Sequence, residues 1–306
     1  MQSLWMLVAS FLFSIMGVCV KLASSDYSTS ELVAYRGLIG MLMIVILVRL
    51  QGGTLKTRMP YEHLIRGTVG VLALWLWFYS IGQLPLAMAV TLNYMSPIWI
   101  AALMLIGAWW YRRRGLAWQP VAAILLGFIG VVLLLRPSMH ADQVIGIVVG
   151  LVSGMLAAWA YMQVRKMGMM GEPEYRVVFY FSMTCAVAGL LGTLIMKSGQ
   201  AAAQEIVWHP PDSRGMLLIM AIGITAASAQ MAMTRAYRLG NTLVTANLQY
   251  AGIVFSSLWD VLFWDESLAW LSWTGIGVIL CSGIIATFYN ARANQSSVRN
   301  EAIGQE

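Results

Sequence analysis

Charged residues are scarce in this chain. Only 10% of its 306 residues are Asp, Glu, Lys or Arg, against about 25% in an ordinary soluble domain, and that shortfall excludes a water-soluble globular protein. Cysteine is nearly absent as well. Cys19, Cys185 and Cys281 lie in separate apolar runs without paired spacing, which argues against a disulfide framework or a metal site and leaves them as small core side chains. The histidines, His63, His140 and His209, are all expected in loops away from any partner, so no catalytic constellation can be assembled. The chain is not read as an enzyme, and no cofactor is expected. It also lacks a glycine-rich phosphate loop followed by Lys and Ser or Thr, which removes direct use of ATP. No basic stretch precedes the first apolar run, so 4–22 is expected to be a true span and not a cleaved leader.

What is abundant is apolar length. Hydrophobic residues make up 59% of the chain and the mean hydropathy is +0.73. A helix needs about 20 apolar residues to cross a bilayer. Runs of that order follow one another at 4–22, 31–49, 64–83, 85–110, 117–135, 144–164, 177–197, 216–238, 241–264 and 269–290. The expected fold class is an all-α integral membrane protein with ten transmembrane helices. Pro85 and Gly240-Asn241 mark tight reversals between runs. The net charge of +6 does not point to nucleic acid, because the basic residues fall in the gaps between apolar runs. One set of sides carries Arg49, Lys56, Arg58, Arg66, Arg112, Arg113, Arg114, Arg165, Lys166 and others, whereas the opposite set carries Lys21, Arg136, Lys197 and Arg214. By the positive-inside rule both termini are expected to be cytoplasmic, in a bacterial-type inner membrane.

The chain also repeats itself. Leu92-Asn93-Tyr94 is echoed by Leu248-Gln249-Tyr250, and Leu116-Ala117-Trp118 by Leu268-Ala269-Trp270. The echoes keep their order and an equal number of runs lies on each side of residue 140, so duplication explains them better than chance. An odd number of spans per copy forces the second to insert upside down. The result is two inverted five-helix repeats, an arrangement common among secondary transporters, with the site near mid-membrane at the repeat interface. The expected units are 1–138 and 142–290, followed by a polar, disordered cytoplasmic tail at 291–306.

Further stretches complete a pattern. Tyr79-Ser80-Ile81-Gly82-Gln83-Leu84-Pro85-Leu86-Ala87 runs into Tyr94-Met95-Ser96-Pro97; Ala236-Tyr237-Arg238-Leu239-Gly240 runs into Leu248-Gln249-Tyr250; Asp265-Glu266 is followed by Leu268, Gly275 and Gly283. In these stretches and its ten runs the chain resembles the drug/metabolite transporter superfamily, and its EamA-type branch in particular. It departs from the family pattern at the end of span four, where Trp109-Trp110-Tyr111 and three arginines replace the usual acidic residue, and at Ile253, which stands opposite Pro97. The resemblance implies a secondary active carrier that moves a small organic metabolite by alternating access. An amino acid or related compound is preferred, with export the preferred direction, and uptake of a nucleoside-like metabolite such as S-adenosylmethionine remains open. A multispan membrane enzyme would need a cluster of His, Asp or Glu at one membrane face, which the sequence lacks. The expected partners are the small-molecule substrate and the lipid bilayer, with the protein either a monomer or a homodimer.

Candidate site residues centre on the repeated segments. Pro97 cannot donate a backbone hydrogen bond, so the Asn93 carbonyl loses its helical partner; at membrane depth that is tolerated only against protein or a wet cavity. Ile253 removes no donor, so a helix break is expected in the first half only. Asn93 lies about 12 Å beyond Pro85 at 1.5 Å per residue, close to the midplane. Thr91 and Tyr94 share a helix face, as do Asn247 and Tyr250. These residues are expected to line a cavity, the alternative for Asn93 and Asn247 being hydrogen-bond glue between helices. The resemblance adds Tyr79 and Trp159 near the repeat interface, with Gln163 one turn from Trp159; the alternative for the aromatics is a place at the membrane surface. Arg36, Arg235 and Asp260 are candidates for charge or coupling roles, although Arg36 can snorkel to the interface, Arg235 can simply obey the positive-inside rule, and Asp260 can be interfacial. Gly146, Gly150 and Gly154 give span six a bare packing face.

Overall fold

A backbone in hydrocarbon satisfies its own polar groups only as a helix or a closed barrel, and all ten apolar runs contain helix. The computed structural model describes residues 2–110, 118–135, 144–199, 211–264 and 269–303. A 3-10 turn, Gln2–Leu4, leads into α1 (Trp5–Ala23), α2 (Thr29–Leu50), α3 (Pro60–Gln83), α4 (Leu86–Asn93), α5 (Ser96–Trp110) and α6 (Trp118–Leu135). The chain continues through α7 (Val144–Met169), α8 (Glu174–Gly199), α9 (Ser213–Leu239), α10 (Thr242–Leu248), α11 (Ala251–Trp264) and α12 (Trp270–Ile303). Among the described residues, seven stretches are long and apolar enough to cross a membrane: Gln2–Ala23, Thr29–Leu50, Pro60–Gln83, Met88–Gly107, Val144–Met169, Glu174–Leu194 and Ser213–Leu239. Val121–Leu133 and Trp270–Ala286 are shorter apolar helices. The junction at 136–143, Arg112-Arg113-Arg114, His140, His209 and Asp265-Glu266 lie outside the described residues. α12 runs as far as Ile303, and 304–306 of the expected tail lie outside the described residues.

Local chemistry sets the helix ends. Ser28 and Glu31 form a capping box on α2: the Ser28 hydroxyl accepts from the Glu31 amide at 3.3 Å, and the Glu31 carboxylate accepts from the Ser28 amide at 2.8 Å. Pro60 opens α3 at a position where its missing N–H leaves no helical bond unmade. Asp212 caps α9, and the Asn241 side chain accepts from Leu243 and Val244 at the start of α10. Gly171, at φ +88°, closes α7 in the left-handed conformation that glycine adopts without penalty.

Two of the expected spans are broken. α4 ends at Asn93 and α5 starts at Ser96; α10 ends at Leu248 and α11 starts at Ala251. Around the second break the bonds tighten to i→i−3, with Gln249, Tyr250, Gly252 and Ile253 donating to Ala246, Asn247, Gln249 and Tyr250 at 2.9–3.2 Å. The expectation of a break in the first half alone is therefore corrected: the second half breaks at the matching place without a proline. Pro97 stands second in α5, where its missing donor costs the helix nothing.

Helices pack in matched pairs. α2 lies along α8 and α6 along α12, while α1 lies along α9 as α3 lies along α7. Bare glycines allow these approaches. A methyl on Gly37 would stand 2.6 Å from the Ser182 carbonyl oxygen of α8, and one on Gly154 would stand 2.6 Å from the Leu92 carbonyl oxygen of α4. The outer surface is apolar, with Leu42, Leu194, Leu262 and Phe288 among its exposed side chains, as lipid contact requires.

Candidate functional site

Between these pairs lies an interior cavity of about 40 Å³. α2 contributes Arg36, α3 contributes Arg66 and Trp77, and the end of α4 contributes Asn93 and Tyr94; the remaining wall includes Phe13 of α1, Tyr161 of α7, Phe181 of α8 and Gln230 of α9. The described lining contains no carboxylate and no histidine.

Its dominant feature is a pair of buried arginines, each only 2% exposed. The Arg36 and Arg66 guanidinium carbons lie 5.1 and 4.1 Å from the centroid of the same ring, Phe181. Arg36 Nη1 donates to Cys185 Sγ at 3.2 Å, and Arg66 Nη2 donates to Gln230 Oε1 at 3.5 Å. Arg36 Nε, Arg66 Nε and Arg66 Nη1 are buried without a hydrogen-bond partner, and neither arginine forms an ion pair with a described residue. Gly70, one turn after Arg66, makes room for it, since a methyl there would collide with the guanidinium.

These positions correct two expectations. Arg36 does not snorkel to an interface but turns into the core. Arg66, counted from the sequence among the basic residues of a loop side, lies inside because α3 begins at Pro60. An arginine followed by a glycine one helical turn later was the signal for it. Tyr161, Phe181 and Gln230 carried no such signal.

The two helix breaks meet behind the cavity. Asn93 Nδ2 donates to Ser153 Oγ of α7 at 2.8 Å, and Tyr94 lies buried beside Trp77, their ring centroids 6.5 Å apart. Gln249, which matches Asn93 in the repeat, accepts from Ser96 Oγ at 3.4 Å through its side chain and from Ser10 Oγ at 3.5 Å through its carbonyl; Tyr161 also hydrogen-bonds its side chain. The other expected residues lie elsewhere. Thr91 is buried but does not line the cavity. Asn247 exchanges hydrogen bonds with Ser282 of α12 and borders a separate apolar pocket with Leu248 and Ile279. Tyr250 is buried with its ring against Gly127 of α6. Tyr79 and Trp159 are 41% and 50% exposed on the outer surface, and Gln163 is half-buried away from the cavity. Arg235 is exposed and lies 4.9 Å over the Trp5 ring. Asp260 is buried in α11 outside the cavity lining.

One group of charges was missed altogether. His63 stands in the first turn of α3, not in a loop, and its Nε2 lies 3.0 Å from Glu172 Oε1. Tyr180 packs on the imidazole, ring centroids 4.4 Å apart, and Arg176 lies 3.6 Å from the second Glu172 oxygen. Burial pushes the Glu172 carboxyl up, but hydrogen bonds from His63 and Thr57 and the charges of His63 and Arg176 outweigh it and hold it below its ordinary value. Lys166–Glu62 and Arg238–Glu174, both at 2.8 Å, add ion pairs at the same ends of α3, α7, α8 and α9.

With this geometry in place, comparisons with known proteins converge. A profile described as the EamA-like transporter family matches residues 1–136. The chain is 32% identical over 279 residues to the pseudopaline exporter CntI of Pseudomonas aeruginosa, covering 91% of this chain and 93% of that protein. It is 27% identical to an uncharacterized transporter of Helicobacter pylori, covering 91% and 92%, and 21% identical to an S-adenosylmethionine uptake transporter of Rickettsia bellii, covering 86% and 84%. A crystal structure at 19% identity matches with a TM-score of 0.71 over 96% of this chain and 99% of that one, and shares its fold.

Proposed function

This chain belongs to the EamA-like transporter family within the drug/metabolite transporter superfamily, a family of carriers and not of enzymes, and we propose that it moves a small organic metabolite across the inner membrane by alternating access. The observation that carries this reading is the interior cavity, whose walls come from α1–α4 on one side of the sequence midpoint and from α7–α9 on the other. Opposed rocking of two halves exposes a site of that kind to each side in turn. In this reading α4–α5 and α10–α11 are each one broken span, the spans number ten, and 1–138 and 142–290 are inverted five-helix repeats with both termini cytoplasmic. The packing supports it: exchanging each helix for its counterpart turns the α1–α9 pair into the α7–α3 pair, and α2–α8 and α6–α12 into themselves.

Amino acids or related compounds are the proposed substrates and export the proposed direction. The relative named as an exporter shares 32% identity, whereas the relatives named for S-adenosylmethionine uptake share 21–22%. Flux into inside-out vesicles from cells expressing the chain tests the carrier. Concentrative accumulation of a metabolite, abolished by a protonophore and lost in Tyr94→Ala, supports it. Transport that only equilibrates, or that ignores Tyr94→Ala and Asn93→Ala, refutes the alternating-access site.

A further inference from the structure

Two cations stand inside the bundle with no described anion to meet them. A charge at membrane depth is costly, and it is kept where it faces a partner, a water-filled cavity or a ligand. Arg36 and Arg66 reach the cavity from different helices and converge on Phe181. Cys185 and Gln230 each hold one end of one guanidinium. The aromatic face steadies both groups while leaving their in-plane N–H edges available. Those edges are where the unpartnered donors lie: Nε on both residues and Nη1 on Arg66. A guanidinium edge presents its N–H groups as a planar fork matched to the two oxygens of a carboxylate.

The rest of the wall decides the sign of the ligand. Its described residues supply aromatic surface and neutral amides but no carboxylate, so an ammonium group entering the cavity meets two like charges and no counter-charge. A simple amino acid satisfies one arginine and leaves its own ammonium unmatched. A molecule with a second carboxylate satisfies both. Taking the cavity as the carrier's substrate site, as argued above, we propose that Arg36 and Arg66 form an anion locus and that, among amino acids and related compounds, the substrate is an acidic one of net negative charge, bound through two carboxylates, with its remainder against Trp77 and Tyr94.

Full-length protein in detergent tests this by thermal shift, with sodium succinate, sodium citrate, sodium phosphate, sodium chloride and putrescine as probes at matched ionic strength. Succinate or citrate should raise the wild-type melting temperature saturably while chloride and putrescine do not. Arg36→Gln and Arg66→Gln should abolish that shift, and Arg66→Lys, which keeps the charge without the fork, should retain only part of it. Without ligand, the Gln variants should melt at or above wild type, because an unpaired buried charge has been removed. The proposal is overturned if no carboxylate shifts the protein, if phosphate alone does, if putrescine does, or if the carboxylate shift survives in both Gln variants. It is also overturned if both variants lose ligand-free stability, which would make the arginines structural. Proteoliposome flux separates the two levels of the argument. Concentrative transport restricted to neutral or cationic metabolites keeps the carrier and removes the anion locus, whereas a carboxylate shift with no flux of any probe keeps the locus and removes the carrier.

Discussion

Gly252 packs against the hydroxyl-bearing end of the Tyr94 ring. A methyl at position 252 would stand 2.9 Å from the Tyr94 hydroxyl oxygen and closer still to the ring. Gly252 stands second in α11, just past one break, and Tyr94 caps α4 at the other, so one break is seated on the other. Because the Tyr94 ring also forms part of the cavity wall, space at Gly252 sets where that wall stands.

Gly252→Ala is expected to displace the Tyr94 ring. Overpacking of this kind costs about 1–3 kcal/mol, read as a lower melting temperature in detergent. Transport in inside-out vesicles should fall with it. Restoring room by pairing Gly252→Ala with Tyr94→Phe should recover part of the stability, since the hydroxyl is one of the atoms in the way. A Gly252→Ala protein as stable and active as wild type would show that the two breaks do not depend on each other.

How much of this was readable from the sequence follows from where the causes lie. Helix positions were legible because hydropathy alone carries them. The break at Gln249–Tyr250 was not, because no residue there removes a donor. It is made by tertiary contacts, with Ser96 bonded to Gln249 and Tyr94 seated on Gly252. Arg66 and His63 were misplaced for one shared reason. The apolar run starts at 64, but the helix starts at Pro60, which puts Arg66 about 9 Å along the helix axis instead of at its edge. The aromatics of α7 show the remaining gap: Trp159 and Tyr161 are two residues apart and so face different ways, and the cavity takes Tyr161 while the outer surface takes Trp159.

That division gives a second prediction. Trp159→Leu and Tyr79→Phe keep an apolar surface toward lipid and touch nothing in the cavity, so transport rates should remain within about twofold and melting temperatures within the range of ordinary surface changes, about 0.5 kcal/mol. Tyr161→Phe, by contrast, removes the hydroxyl that meets Gln249 and should lower transport severalfold. Equal losses from Trp159→Leu and Tyr161→Phe would place the substrate on a different face of α7.

The Glu172 cluster makes stability depend on pH. A carboxyl held below its ordinary value binds fewer protons in the folded state than in the unfolded state as acid is approached. Its stabilisation is complete above the unfolded value, about 4.3, and is lost as pH falls through the lower folded value. Wild-type melting temperature should therefore drop on acidification below about pH 4.5 more steeply than that of Glu172→Gln. At pH 7 Glu172→Gln should be less stable by about 1–3 kcal/mol, since it weakens hydrogen bonds to the buried His63. Parallel melting curves across acid pH would show that Glu172 contributes nothing through its charge.

The glycines of α7 should not be equivalent, although sequence spacing makes them look so. A methyl on Gly146 would meet the Leu84 side chain, at 3.0 Å from Cγ and 3.2 Å from Cδ2, and a leucine side chain can turn aside. Its cost is offset by the roughly 1 kcal/mol that alanine gains over glycine inside a helix, so Gly146→Ala should leave the melting temperature nearly unchanged. A methyl on Gly154 would instead meet backbone, 2.6 Å from the Leu92 carbonyl oxygen and 2.9 Å from that of Asn93, at the end of α4 where the break begins. Those atoms move only if the break moves. Gly154→Ala should therefore cost at least about 1–3 kcal/mol and should impair transport, because Asn93 and Tyr94 shift with the carbonyls. Measured side by side, a Gly154→Ala protein no worse than Gly146→Ala would mean that α4 can slide along α7 freely, and that the break is not held in place by this contact.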